Sequence, residues 1–150
     1  MPTLLHDPAV TRAIRTRVST LRPDAARRWG KMSVDQMLWH CNQAMDQALS
    51  IGQPEPFTPA PLPRGIIKFM VFNMPWPKGA PTSPSINAGT QRFDFDSERA
   101  RCLRMIDQLT AKSMQSADWG ISPAFGQMTG VEWSRLMAKH LDHHLKQFGA

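Results

Sequence analysis

Three of the five histidines lie close together near the carboxyl end of the chain, at His140, His143 and His144. On a helix, side chains four residues apart lie on the same face, so His140 and His144 can present ring nitrogens to one ion. Zinc protease helices use two histidines at this spacing, with a glutamate between them as general base. No glutamate lies between these two histidines. The spacing therefore allows a metal-binding pair but does not indicate protease chemistry.

The same two histidines fall on the apolar face of the helix that contains them. At about 100° per residue, Trp133, Met137 and Leu141 define this face. His140 and His144 lie within it, and the third histidine lies on its margin. Two core histidines held only by hydrogen bonds would give the same pattern. The pair alone leaves both a metal site and a structural pair open.

A metal site needs a third protein ligand, and His40 is the only other histidine inside a predicted helix. It lies beside Met37 and Ala44, at the edge of the apolar stripe of that helix. This position suits a ligand at the mouth of a bundle and also suits an ordinary boundary residue. The neighbouring Cys41 points about 100° away, into the apolar stripe, and is expected to be a buried, unreactive thiol.

Start signals predict the first two of the helices that must position these side chains. A helix is predicted over 8–21, after an aspartate N-cap and with proline at its first position. The second helix opens with a capping box at Ser33 and Gln36, in which each side chain can satisfy a free backbone N–H group of the other residue. Its apolar residues recur at helical spacing until Gly52 and Pro54 end it.

Two further long helices are predicted in the second half of the chain. One runs over about 97–112, with Asp96 or Ser97 as its cap. The other opens with a capping box whose first residue is Thr129. This helix is predicted to end at Gly149, because glycine is common at helix ends. The apolar positions of the four helices predict a core that contains Ile14, Val18, Met37, Leu38, Met45, Leu103, Ile106, Trp133, Met137 and Leu141.

Between the second and third long helices lies a proline-rich segment with nine of the 13 prolines of the chain. Regular structure is not expected there, except for a short helix over 65–73. The segment also carries aromatic side chains that could form an apolar wall over a pocket between the second and fourth helices, namely Phe57, Phe69, Phe72 and Trp76. The sequence therefore predicts an all-α fold, a four-helix bundle with a long Pro-rich insert between helices two and three, in a single domain over 1–150.

Composition narrows the class of protein further. A chain of 150 residues, 41% hydrophobic, is long enough for one packed domain and too apolar for a disordered one. No apolar run approaches the roughly 20 residues that span a bilayer, and the first residues do not resemble a secretory signal, so no membrane partner is expected. With two cysteines and no Cys-x-x-Cys pair, the expected location is the cytoplasm.

The net charge of +6 is concentrated near the amino end, where seven basic residues lie within 1–31. A basic stripe can bind nucleic acid. No run of five basic residues occurs, however, and no aromatic side chains alternate with the arginines to stack on bases. On the first helix, Arg12 and Arg15 fall opposite the apolar face. These basic residues are therefore expected to be solvated, and nucleic acid is not an expected partner.

Two segments resemble the signature motifs of a known family. Residues Trp29–Ser33, followed by Gln36–Cys41, resemble the second-helix signature of an uncharacterised branch of the DinB/YfiT-like superfamily. Phe125-Gly126, Trp133 and the run Lys139–Gly149 resemble the fourth-helix signature of the same branch. The resemblance covers nearly the whole chain, and the C-terminal motif is its most specific part.

The resemblance implies a four-helix bundle, often dimeric, with a divalent metal held by one histidine of helix two and two of helix four. By motif position these are His40, His140 and His144, the same trio that the spacing proposes. Characterised relatives are metal-dependent thiol transferases and a thiol-dependent isomerase. In many members of the branch a histidine is expected at the position of Ser122, so this chain departs from the pattern there.

Two functions of different classes follow. The first is a metal-dependent thiol transferase or hydrolase, in which the trio holds zinc, or nickel as second choice, and activates a water or a low-molecular-weight thiol against a small electrophile. The alternative is a non-catalytic bundle that binds a small ligand or a partner, with structural histidines. Neither the motifs nor the composition identifies a catalytic base, a substrate-binding residue or the substrate, and a homodimer is compatible with both.

Overall fold

Five α-helices and one short hairpin make up most of the regular structure in this computed structural model, which describes residues 2–52, 56–57, 59–80 and 82–150. The elements, in chain order, are α1 (Pro8–Thr20), α2 (Val34–Ala48), α3 (Arg64–Asn73), a 3₁₀ turn (Pro84–Ile86), α4 (Phe95–Ala111), β1 (Ile121–Ser122), β2 (Gly126–Gln127) and α5 (Gly130–Gln147). The two strands pair antiparallel. The predicted all-α class is confirmed, since the chain is predominantly helical.

Local capping begins α1, α2 and α5 where the sequence predicts them. The Asp7 carboxylate accepts the N–H of Ala9 at 2.8 Å at the start of α1. The Gln36 amide oxygen accepts the N–H of Ser33 at 2.9 Å before α2. At α5, Thr129 and Glu132 form the reciprocal pair, so the first free N–H groups of this helix are satisfied.

The start of α4 was predicted two residues too late. Its N-cap is Asp94, whose carboxylate accepts the N–H of Ser97 at 2.9 Å, and neither Asp96 nor Ser97 is the cap. Asp94, Asp96 and Ser97 are all residue types that can cap a helix. With Asp94 as the cap, Phe95 begins the helix and packs against the core. The later candidates then become residues of the first turn.

The four long helices surround the core, with α2 against α4 and α5, and α1 against the same two helices. Nine of the ten predicted core residues are buried, and only Leu103 is not. On α4 the inward stripe consists of Cys102, Met105, Ile106 and Leu109. Leu103 lies about 100° from Cys102 around this helix and is therefore half-buried at the edge of the stripe.

The segment between α2 and α4 contains the predicted short helix, as α3, but covers the core less than expected. Phe72 is buried and Trp76 is half-buried, whereas Phe57 and Phe69 are exposed. The packed side of α3 carries Ile67, Val71 and Phe72, and Phe69, about 60° from Phe72 on the side away from the other two, projects into solvent. The predicted aromatic wall is therefore wrong for two of its four members. The predicted helix terminator Pro54 lies outside the described residues.

The hairpin connection, which the sequence did not predict, joins α5 to the end of α2. The N–H of Gly120 donates to the carbonyl of Ala48 at 2.9 Å, and its own carbonyl accepts the indole N–H of Trp133 at 2.8 Å. A Cβ at Gly120 would lie 1.6 Å from the carbonyl oxygen of Gln47, so only glycine fits. This contact holds the start of α5 against α2, which positions the histidines of the two helices.

Candidate metal centre

Three histidines meet between α2 and α5. The ligand nitrogens of His40, His140 and His144 all lie within 4.8 Å of one another, and all three side chains are buried. The Nε2 atoms of His40 and His140 are 2.8 Å apart, and the ring centroids of each pair are 4.7 to 4.8 Å apart. The structure thus brings together residues separated by 100 positions in the chain.

Hydrogen bonds on the outer side orient two of the three rings. The Nδ1 of His40 lies 2.7 Å from the carbonyl oxygen of Ile86, which can only accept, so this nitrogen carries the proton. The Nδ1 of His144 lies 2.8 Å from the amide oxygen of Gln147, whose amide nitrogen donates to the carbonyl of Trp29 at 2.9 Å. In both rings Nε2 therefore keeps its lone pair.

The protonated nitrogen of His140 follows from these two assignments. Since Nε2 of His40 accepts, Nε2 of His140 is the donor in the 2.8 Å contact between them. For all three rings to bind one metal ion, the Nε2 proton of His140 would have to move to its Nδ1, which would leave three inward lone pairs. Three neutral imidazoles of this kind would suit a borderline metal ion such as zinc or nickel.

Burial keeps the three imidazoles neutral. It lowers the pKa of His140 well below its usual value, and the neighbouring His144 and His40 add to this by like-charge repulsion. Burial also lowers the pKa of His144 to about 3, against a smaller opposing effect of the Gln147 hydrogen bond. The pKa of His40 is lowered for the same reason. At neutral pH a metal ion therefore competes with few protons for these nitrogens.

Comparison with known proteins gives a family without an assigned activity. The family described as "Protein of unknown function (DUF1569)" matches residues 5–150. The chain belongs to the DUF1569 family. Neither a curated protein nor a solved structure matches the chain.

His143 lies outside the histidine group of this DUF1569 chain, as the sequence predicts. Its half-buried ring packs edge-on between the rings of Trp29 and Trp76, with centroids 5.6 and 5.4 Å away. It also contacts the ring of His144 at 5.1 Å. Trp76 reaches from His143 to His140, at 5.8 Å, so it covers one side of the trio.

Cys41 and Ser122 take no part in the group. The Cys41 thiol is fully buried, as predicted, and burial raises its pKa well above the usual value. The buried Ser122 hydroxyl accepts the N–H groups of Ala124 and Phe125 at 3.2 and 3.1 Å. This serine therefore holds the turn of the hairpin, and its departure from the expected histidine leaves the trio intact.

The sequence did not identify the residues that support the DUF1569 trio from outside. Ile86 contributes a backbone carbonyl, for which no side-chain signal exists. Gln147 lies three residues after His144, a spacing at which helical side chains meet, and this signal could have been used. A Cβ at Gly30 would lie 2.6 Å from the amide nitrogen of Gln147, so a glycine leaves room for this amide.

Proposed function

We propose that this DUF1569 protein is a divalent-metal-dependent enzyme that activates a thiol or a water molecule against a small electrophilic substrate. The observation that carries the proposal is the convergence of His40, His140 and His144, buried and neutral, on one point. Structural histidines need one or two hydrogen bonds each. Here three rings point nitrogens at the same place, and two are oriented by hydrogen bonds at the opposite nitrogen.

The chemistry of the donor set supports zinc first and nickel second. When bound by three imidazoles, such an ion lowers the pKa of a water to about 7 and deprotonates a thiol in the remaining position. A low-molecular-weight thiol is therefore a suitable second reactant. Among the described residues no carboxylate belongs to the histidine group, so a nucleophile activated without a nearby base suits this site.

The surrounding residues would bind and orient these groups. Gln147 and the Ile86 carbonyl hold the protons on the Nδ1 atoms of His144 and His40, which keeps the Nε2 lone pairs directed inward. Trp76 covers His140 and excludes water from that side. The adjoining rings of Trp29 and His143, with the Lys78 ammonium over Trp29, offer an aromatic surface beside a cation for a small substrate.

The wider assignment rests on the resemblance of the motifs to the DinB/YfiT-like superfamily. It supports a four-helix bundle formed by α1, α2, α4 and α5 and association as a homodimer. It also supports thiol transfer as the reaction, because that is the activity of characterised relatives. The proposed cytoplasmic location rests instead on the two cysteines, which form no Cys-x-x-Cys pair. A small-molecule substrate fits a buried site of three side chains.

A second function is favoured by one specific contact. The 2.8 Å hydrogen bond between His40 and His140 satisfies two buried nitrogens without any ion. Such a pair can be structural, as in a non-catalytic bundle that binds a small ligand or a partner. The two functions differ in whether the protein retains a metal ion.

Metal analysis of protein produced without a His tag separates these functions. We expect about one equivalent of zinc or nickel per chain, lost in His140→Ala and retained in His143→Ala. The second variant is the matched control, because His143 is adjacent on the same helix and lies outside the trio. Equal metal content in the two variants, or none in the parent protein after growth with added zinc and nickel, would leave the binding-bundle function.

An activity assay then tests the reaction. The metal-loaded protein is offered a chlorodinitrobenzene-type electrophile with each of several low-molecular-weight thiols. Turnover should fall by at least about a hundredfold in His144→Ala, since a lost ligand removes the activated nucleophile. Identical turnover in the variant would identify the reaction as background chemistry.

A further inference from the structure

Large apolar side chains are exposed in one part of the molecule. Nine are exposed among the described residues, and seven of these lie between positions 51 and 74. They are Ile51, Phe57, Leu62, Ile66, Phe69, Met70 and Met74. Scattered exposed apolar residues are ordinary on a protein surface, whereas a concentration of them in one segment indicates an interaction surface.

The concentration is densest on α3, which is apolar on two faces. Its inner face packs through Phe72. Its outer face, defined here as Ile66, Phe69 and Met70, is exposed by 50%, 64% and 41%. These three residues have the i, i+3, i+4 spacing of one helical stripe. A helix that needed only to cover the core would carry polar residues there.

The orientation of α3 is set by side chains of α5. Lys68 forms an ion pair with Glu132 at 2.5 Å, and Arg135 donates to the carbonyl of Phe72 at 2.8 Å. Lys139 donates to the carbonyls of Val71 and Met74, both at 2.6 Å. These contacts hold the inner face in place along the length of the helix. The outer face is therefore presented to the surroundings by the fold itself.

Basic residues outnumber acidic ones around this face, although Glu132 of α5 pairs with Lys68 there. Residues 56–93 contain four basic residues and no aspartate or glutamate. Lys68 and Arg92 pair with acidic residues elsewhere in the chain. Arg64 and Lys78 lie over the rings of Phe57 and Trp29 instead, and within the described part of the chain neither forms an ion pair.

This charge distribution favours an anionic surface over a second copy of the chain as the binding partner of this face. In a symmetric dimer the same patch meets itself, so the unpaired cations of two copies would repel each other. An anionic surface would attract them and would accept the apolar side chains at the same time. The apolar side chains of a helix on the protein surface can enter the boundary between lipid headgroups and acyl chains.

We propose that the outer face of α3, with Arg64 and Lys78, docks the protein on an anionic lipid surface. A helix of ten residues is about 15 Å long, and in this arrangement it lies along the interface with its apolar side chains below the headgroups. No helix among the described residues has the length and apolar character to cross a membrane. The expectation of no membrane partner depended on the length of apolar runs, a criterion that does not detect a short helix in the interface.

Vesicle co-sedimentation tests this surface with the intact protein. We expect binding to an equal mixture of phosphatidylglycerol and phosphatidylcholine and little binding to phosphatidylcholine alone. Phe69→Glu should weaken binding by at least about tenfold, since it places a charge where an apolar ring enters the layer. The double variant Arg64→Gln, Lys78→Gln should weaken it by about thirtyfold, at about 1 kcal/mol for each cation.

Ile121→Glu is the matched control, because Ile121 is also exposed, by 52%, and lies on β1 and not on the outer face of α3. It should bind like the parent protein. Equal binding to neutral and anionic vesicles, equal loss in Ile121→Glu, or no binding at all would overturn the proposal. So would a dimer in light scattering that Phe69→Glu converts to a monomer, because the face would then cover a second copy. These results do not depend on the metal content of the trio.

Discussion

The histidine trio and the outer face of α3 depart from ordinary burial in opposite directions. His40, His140 and His144 are titratable side chains enclosed in the core, whereas Ile66 and Phe69 are large apolar side chains in solvent. Burial destabilises the charged form of an imidazole, and an apolar ring left in solvent does not gain the free energy that its burial would provide. Each region therefore gives up stability in the isolated chain. The two proposals assign each arrangement to a contact with something other than the chain itself, a metal ion for the trio and a lipid surface for α3.

The two regions are connected through α5. This helix carries two histidines on its inner side, and Glu132, Arg135 and Lys139 on the side that holds α3. Helix α5 therefore positions both the buried histidine trio and the exposed outer face of α3. Variants on its two sides should separate stability, metal binding and surface binding from one another.

The largest expected effect is on the free energy of unfolding, through a core residue near the start of α5. Trp133 is 1% exposed and donates its indole N–H to Gly120. Trp133→Ala should lower the free energy of unfolding by about 3–5 kcal/mol, because it leaves a cavity and an unpaired carbonyl. Urea denaturation measures this change. A loss below about 1 kcal/mol would show that α5 is not held by this contact.

Acid should destabilise the metal-free protein next most strongly. The pKa values of His140 and His144 are lowered in the fold, whereas in the unfolded chain both residues take up a proton near pH 6.5. Their contribution to stability is therefore complete above pH 6.5 and is lost as the pH falls towards the folded-state values. Between pH 7 and 5.5 the loss should be roughly 1 kcal/mol for each histidine.

Urea denaturation at several pH values, after treatment with a chelator, measures this loss. The variant His144→Leu should show a shallower dependence over the same interval, because it has one fewer imidazole to protonate on unfolding. An unchanged slope in the variant would contradict the assignment of a buried, neutral His144.

A smaller effect is expected from the residue that orients His144. Gln147→Leu removes the acceptor for the Nδ1 proton and should weaken zinc binding by about 10–100-fold, measured by competition with a chelating dye. Gln108→Leu, on the exposed side of α4, is the control and should leave the affinity unchanged. Equal affinities in the two variants would show that Gln147 has no positioning role.

The smallest expected effect is that of a substitution on the outer face of α3. Phe69→Ser should change the free energy of unfolding by no more than about 0.5 kcal/mol, because the ring is 64% exposed. A loss comparable to that of Trp133→Ala would mean that the outer face of α3 is packed in solution. The same denaturation experiment measures both variants.

The helices, but not the hairpin, could be predicted, because their signals are local. The capping pairs at Ser33 and Thr129 and the apolar periodicity of the helices act over three or four residues, so the sequence alone locates these helices closely. The start of α4 was misplaced because three neighbouring residues could cap it, and packing of Phe95 decided among them. Periodicity also predicted nine of ten core residues, with Leu103 the exception at the margin of a stripe.

The sequence by itself determined the all-α class, the burial of His140 and His144 on one face of α5, and the position of His143 outside that group. Only the tertiary structure decided that His40 meets them, since its place at the edge of a stripe was equally suited to a boundary residue. It also supplied the Ile86 carbonyl and the Gln147 amide, and turned Phe57 and Phe69 outward. The physical reason is that a residue's own helix sets its direction within a few neighbours, whereas the partner it meets depends on packing between segments far apart in the chain.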